Sequence, residues 1–125
     1  MPGAIPHIIT GIAMAILGRY YFKSYFDGKE KNKEKILLVF VCLLFSVIPD
    51  FFLIIFYSTK IFSFEFFLYL HDIIHIVIGP IAIFFLIVLK YGPEVKWKPI
   101  WIMGFWSILV HLFMDIFISE YNLWF

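Results

Sequence analysis

Charge is what this sequence has least of. Of its 125 residues, 15% are Asp, Glu, Lys or Arg and 63% are hydrophobic. A soluble domain carries about 25% charged and about 45–50% apolar residues, so that class is excluded and an integral membrane protein is indicated. Net charge is +1, which offers no basis for binding nucleic acid. The single cysteine, Cys42, lies in an apolar run, so no intrachain disulfide can form. The start, Met1-Pro2-Gly3-Ala4, lacks the basic residues of a cleaved signal peptide, and the first apolar segment is expected to be retained. Internal repeats and low-complexity tracts are absent. Spans of about 20 residues each use most of the chain, which leaves one integral membrane domain over residues 1–125 and no room for a second.

The apolar runs predict an all-α fold, a four-helix transmembrane bundle with spans at about residues 5–22, 36–57, 64–89 and 99–119. Gly11, Ala15 and Gly18 share one face of the first span, where small residues allow close helix approach. A polar segment from Lys23 to Lys35 follows, with a turn at Asp27-Gly28. In the second span, Cys42, Ser46 and Asp50 form one stripe, expected to point towards the third and fourth spans, and Pro49 is expected to kink the helix. Pro80 is expected to bend the third span. Pro99 suits the first turn of the fourth, whose stripe is Gly104, Ser107, His111 and Asp115. Of the four tryptophans, Trp97, Trp101, Trp106 and Trp124, two stand near membrane ends, and the many phenylalanines serve as lipid-facing bulk and packing. The connections after spans one and three carry Lys23, Lys29, Lys31, Lys33, Lys35, Lys90, Lys96 and Lys98, with Arg19 nearby; the opposite side carries only Lys60. The positive-inside rule then places both basic loops in the cytoplasm and both termini outside.

Within this apolar background the ionisable residues stand out. From Phe64 to Leu89 the only formal charges are Glu65 and Asp72. An ionisable group at membrane depth costs roughly 2.5–3.5 kcal/mol on insertion scales, so such groups are functional candidates. His71 and His75 are four residues apart with Asp72 between them, and on a helix all three share a face. Helical rise places His7 about 3 Å below the outer end of its span, Asp115 about 6 Å, Asp50 and His71 about 10 Å, His111 about 12 Å and His75 about 16 Å. Every histidine and every carboxylate inside a span's apolar core therefore falls in the outer half of the membrane. Each has a bland alternative: His7 as an interhelical hydrogen-bonding group, Asp50 as a cap beside Pro49, His111 and Asp115 as a bonded pair. A shared depth delivered by separate helices instead favours one metal centre, built from His7, Asp50, His71, His75, His111 and Asp115. Asp72 fits a ligand, a supporting partner or a general base.

The order of these motifs resembles the YdjM-like family of membrane-bound metal-dependent hydrolases. The stretches that carry the resemblance are Pro6-His7, Ile48-Pro49-Asp50, His71 to His75, and His111-Leu112-Phe113-Met114-Asp115. Two features differ from the family pattern: Phe52 stands where a second Asp is usual, and His-Asp-Ile-Ile-His is shorter and more acidic than the usual paired-histidine motif. The resemblance implies a metal-dependent hydrolase.

Histidine nitrogens with a few carboxylates suit Zn²⁺ best, with Mn²⁺ or Fe²⁺ as alternatives, and seven candidate ligands make two metals conceivable. Such a metal would activate water and polarise a phosphoryl or carbonyl oxygen, with Asp72 or Asp115 as general base. The location favours a lipid or lipid-linked phosphate or ester delivered laterally, at the cell membrane, with a homo-oligomer left open. Two rival readings are a membrane haem- or metal-binding module with axial ligands such as His75 and His111, and a metal or proton conduit. Haem has no use for an acidic cluster, and a conduit needs polar groups through both halves of the bilayer.

Overall fold

The computed structural model describes residues 4–119, which are helical apart from short connections. The helices are α1 (Ala4–Tyr21), α2 (Lys23–Phe26), α3 (Asn32–Val47), α4 (Phe51–Thr59), α5 (Phe64–Tyr91) and α6 (Lys98–Ser119). Three helical stretches are long and apolar enough to cross a membrane: Lys29–Thr59, Phe64–Tyr91 and Lys98–Phe117. Large apolar side chains such as Ile76, Phe84, Phe113 and Ile116 lie exposed on the outer faces. Exposed apolar surface on this scale marks contact with lipid or a partner rather than water.

Helix α3 packs against both α1 and α6, α5 lies along α6, and α4 folds back onto α5. Glycines sit where the helices come closest. A Cβ on Gly11 would lie 2.8 Å from Ser46 Oγ and 2.9 Å from Leu43 Cα, and one on Gly104 would lie 2.7 Å from a Val41 methyl. Small residues there let backbones approach without overlap, the main source of helix association in lipid. The core beneath, Met14, Ala15, Leu38, Val41, Cys42, Ile100 and Met103, is continuous. At the α4–α5 end, Lys60 closes α4 in the left-handed conformation and the Ser63 hydroxyl accepts from Phe66 N–H to begin α5. Phe56 packs against Phe64 and Phe67 across that turn.

Several expectations need correction. The second span is a continuous helical stretch whose regularity breaks at Pro49 as expected, but by a 3₁₀ turn: α3 ends at Val47, the turn occupies Ile48–Asp50, and α4 starts at Phe51. Pro49 has no N–H to continue an α-helical ladder, and its ring crowds the carbonyl four residues back, so the chain tightens there. Pro80 lies inside α5, where the α-helical assignment continues through it from Phe64 to Tyr91. The segment from Lys23 to Lys35 is not a simple polar loop, because α2 buries Phe26 in the core and α3 begins at Asn32. Cys42 and Ser46 are packed between α1 and α6; of the stripe, Asp50 reaches α5. The two basic connections meet at one end of the molecule, where Lys33, Glu34 and Leu37 share a cavity of about 240 Å³ with Lys96 and Trp97. Trp124 lies outside the described residues.

Candidate metal centre

Asp50, His71, His75, His111, Asp115 and His7 come together at one level of the bundle. One-turn spacing delivers two pairs of them, and a 3₁₀ turn and the start of α1 deliver the other two. His71 and His75 are one helical turn apart on α5, and their rings lie 3.8 Å apart by centroid. His111 and Asp115 have the same spacing on α6, with His111 Nε2 3.1 Å from Asp115 Oδ2. Asp50 closes the 3₁₀ turn, and His7 lies in the first turns of α1, with its ring stacked on His111 at 4.0 Å.

The contacts interlock. His71 Nε2 is 3.0 Å from Asp50 Oδ1, and His75 Nε2 is 2.7 Å from Asp115 Oδ2. His111 Nε2 is 3.3 Å from His75 Nε2 and 3.6 Å from Asp50 Oδ1. His7 Nε2 lies 3.1 Å from Asp50 Oδ2 and 3.8 Å from Asp115 Oδ1, yet neither ring nitrogen of this buried histidine has a hydrogen-bond partner. The proximity of His7 to the carboxylates is thus one of distance without hydrogen-bond alignment.

The opposite edges of two rings decide which nitrogen carries the proton. His111 Nδ1 lies 2.7 Å from the Ser46 carbonyl and His75 Nδ1 2.9 Å from the His71 carbonyl. A carbonyl only accepts, so both Nδ1 atoms carry the proton and donate it. His71 Nδ1 is 3.2 Å from Asp72 Oδ1 and Nε2 3.0 Å from Asp50 Oδ1, so either nitrogen of this ring can donate; with the proton on Nδ1 it follows the same pattern. In the neutral ring, each Nε2 is then a lone pair, and all three face one another and two carboxylates. Acceptors packed at these distances repel unless a proton or a metal cation stands among them. Anchoring the far nitrogen to an oxygen is also how proteins orient histidine towards a metal. The donor set suits such an ion: the ligand atoms of Asp50, His71, His75 and Asp115 lie within 4.8 Å of one another, and so do those of His7, His111 and Asp115.

Asp72 is placed differently from the expectation that it shares the face of both histidines. Its side chain is 66% exposed and holds His71 from behind, outside the inward-facing group. It stands instead on the wall of an open cavity of about 650 Å³ between α5 and α6. His71, Asp72, His75 and Asp115 form the polar part of that wall, and Leu68, Ile76, Leu112 and Ile116 the apolar part. A second cavity, of about 380 Å³ between α1 and α6, is lined by Met14, Leu17, Tyr21, Phe22, Met103 and Trp106, away from the carboxylates and imidazoles.

The Ser46 carbonyl is a functional contact that sequence reasoning missed. In a continuous helix it would be the acceptor for Asp50 N–H, so only the position of Pro49 hinted that it could be released. No protein-family model matches this chain, and no curated protein or solved structure matches it either.

Proposed function

We propose that the chain is a membrane-embedded metal-dependent hydrolase of the YdjM-like kind, acting from the outer half of the bilayer on an amphiphile with a phosphate or ester head group. One observation carries this reading: three imidazoles are anchored through Nδ1, so that their Nε2 atoms converge with two carboxylates beside a cavity that opens between α5 and α6. Zn²⁺ fits the mixed nitrogen and oxygen donors best. Four membrane crossings with both termini outside complete the picture. Supporting that topology, both basic connections meet at one end, and the 18-residue α1 packs along α3 and α6.

Asp50, His71, His75 and Asp115 would hold the ion, with His71, His75 and Asp115 at the cavity wall. When bound, a divalent ion supplies Lewis-acid polarisation of a phosphoryl or carbonyl oxygen and makes an attacking water more acidic. Asp115 is engaged by His75 and His111, which suits a ligand. Asp72 is free of the inward group and faces the cavity, which suits the general base that takes the proton from water. Leu68, Ile76, Leu112 and Ile116 continue from the polar wall to exposed apolar side chains, a path for the hydrocarbon part of a lipid substrate.

The rival readings fit less well. His75 and His111 nitrogens 3.3 Å apart, with a carboxylate against each, give no gap for a macrocycle between two axial ligands. A conduit would have to cross the packed core of Leu38, Val41, Ile100 and Met103.

The test uses purified protein in detergent, loaded with Zn²⁺, analysed for bound metal and assayed for phosphate release from lipid-linked diphosphates and for ester hydrolysis of phospholipids. Metal-dependent turnover that chelation abolishes and Zn²⁺ restores is the expected result, with His75→Ala both metal-poor and inactive. Protein that binds Zn²⁺ through these residues yet hydrolyses neither class would reduce the reading to a metal-binding module.

A further inference from the structure

We infer that this centre holds two metal ions, the second in a buried site formed by His7, His111 and Asp115 behind the cavity-facing one. The inference rests on the metal-centre reading above and adds a site to it. Four histidines and two carboxylates exceed what one catalytic zinc takes, which is three protein ligands and a water. They divide by location into two overlapping sets. His71, His75 and Asp115 of the first set border the open cavity and Asp50 is partly buried beside them, whereas His7 is 1% exposed and His111 0%.

His7 is the second observation. Its Nε2 stands 3.1 Å from Asp50 Oδ2 at ion-pair distance, but neither buried ring nitrogen makes an aligned hydrogen bond, and Nδ1 has no polar contact of either kind. A buried polar group left unpaired costs on the order of 1–3 kcal/mol, and one in a native structure calls for an explanation such as an ion. Its ring stacks on that of His111, whose Nδ1–H is held by Ser46 and whose Nε2 is therefore a lone pair. Both rings thus present donors to the same inner space.

The carboxylates are arranged to serve both sites. Asp50 directs Oδ1 towards His71, at 3.0 Å, and Oδ2 towards His7, at 3.1 Å. Asp115 directs Oδ2 towards His75, at 2.7 Å, and Oδ1 towards His7, at 3.8 Å. One oxygen towards each half is how a bridging carboxylate spans a metal pair, with the ions about 3.5–4 Å apart. The pair also defines the substrate class. A single divalent ion is neutralised by Asp50 and Asp115, whereas two leave surplus positive charge at the cavity wall, which favours a phosphate-bearing head group over an uncharged ester.

Metal stoichiometry decides the matter. Wild-type protein saturated with Co²⁺ and freed of excess should retain two ions per chain, and His7→Ala should retain one. Mn²⁺-loaded wild type should show the exchange-coupled resonance spectrum of a bridged pair, a readout independent of whether His7→Ala folds. One ion per chain with the spectrum of isolated Mn²⁺ overturns the second site and leaves the single-metal reading standing. Two ions retained by folded His7→Ala overturns the assignment to His7. Wild type that binds none overturns both readings.

Discussion

Replacing Pro49 by Ala tests how the break in the second span aims the metal centre. Pro49 holds Ile48–Asp50 in a 3₁₀ turn, where Phe51 N–H bonds back to Ile48 instead of Val47. Alanine restores an N–H that can reach the Phe45 carbonyl and removes the ring that crowds it, so the α-helical ladder can run through. In that ladder the Ser46 carbonyl is claimed by Asp50 N–H, in competition with His111 Nδ1, which now donates to it at 2.7 Å. The effect on stability is small. Pro49 is fully buried, and losing two methylenes costs at most about 1.6 kcal/mol, against about 1 kcal/mol for the hydrogen bond gained. The effect on metal binding is larger. Losing the partner that orients a ligating histidine lowers affinity about 10–100-fold, or about 1.4–2.8 kcal/mol. Competition against a chromogenic chelator in detergent gives the affinity, and thermal unfolding followed by circular dichroism gives the stability. A folded Pro49→Ala protein that binds Zn²⁺ as tightly as wild type would refute the role given to the turn.

Three more outcomes are expected. Gly11→Val places a side chain against Leu43 Cα, a backbone atom that cannot step aside, so it should destabilise the bundle by about 1–3 kcal/mol in thermal unfolding; an unchanged midpoint would contradict the close α1–α3 contact. Stripping the metal with EDTA should lower the midpoint, because an ion held at 1,000 times its Kd contributes about 4.1 kcal/mol to the folded state. In a Cys42→Ser background, Lys31→Cys should react with an impermeant maleimide only from the cytoplasmic side and Ser58→Cys only from outside; labelling of position 31 in intact cells would reverse the topology.

Much of the site could be read from the sequence because helical spacing and rise are nearly fixed. His71 with His75, and His111 with Asp115, had to share faces, and a common depth brought Asp50 to the same level. Helix ends were legible to within a few residues for α1, α5 and α6. What could not be read depends on local competition or on rotation about a helix axis. Asp72 has the right spacing but turns outward, bound to His71 from behind. Pro49 and Pro80 look alike in sequence, yet the first ends an α-helix and the second does not. The burial of Phe26 came from a four-residue helix inside a charged segment, where no periodicity is long enough to show.

The last of the candidate ligands, His111 and Asp115, lie on the last described helix. A chain inserted as far as α5 already carries His7, Asp50, His71 and His75 into the bilayer but lacks half of the carboxylate pair and the ring that stacks on His7. The candidate centre is therefore incomplete until α6 is in place. Its side chains converge only once α6 packs against both α3 and α5, so closing the bundle and assembling the cluster are one event.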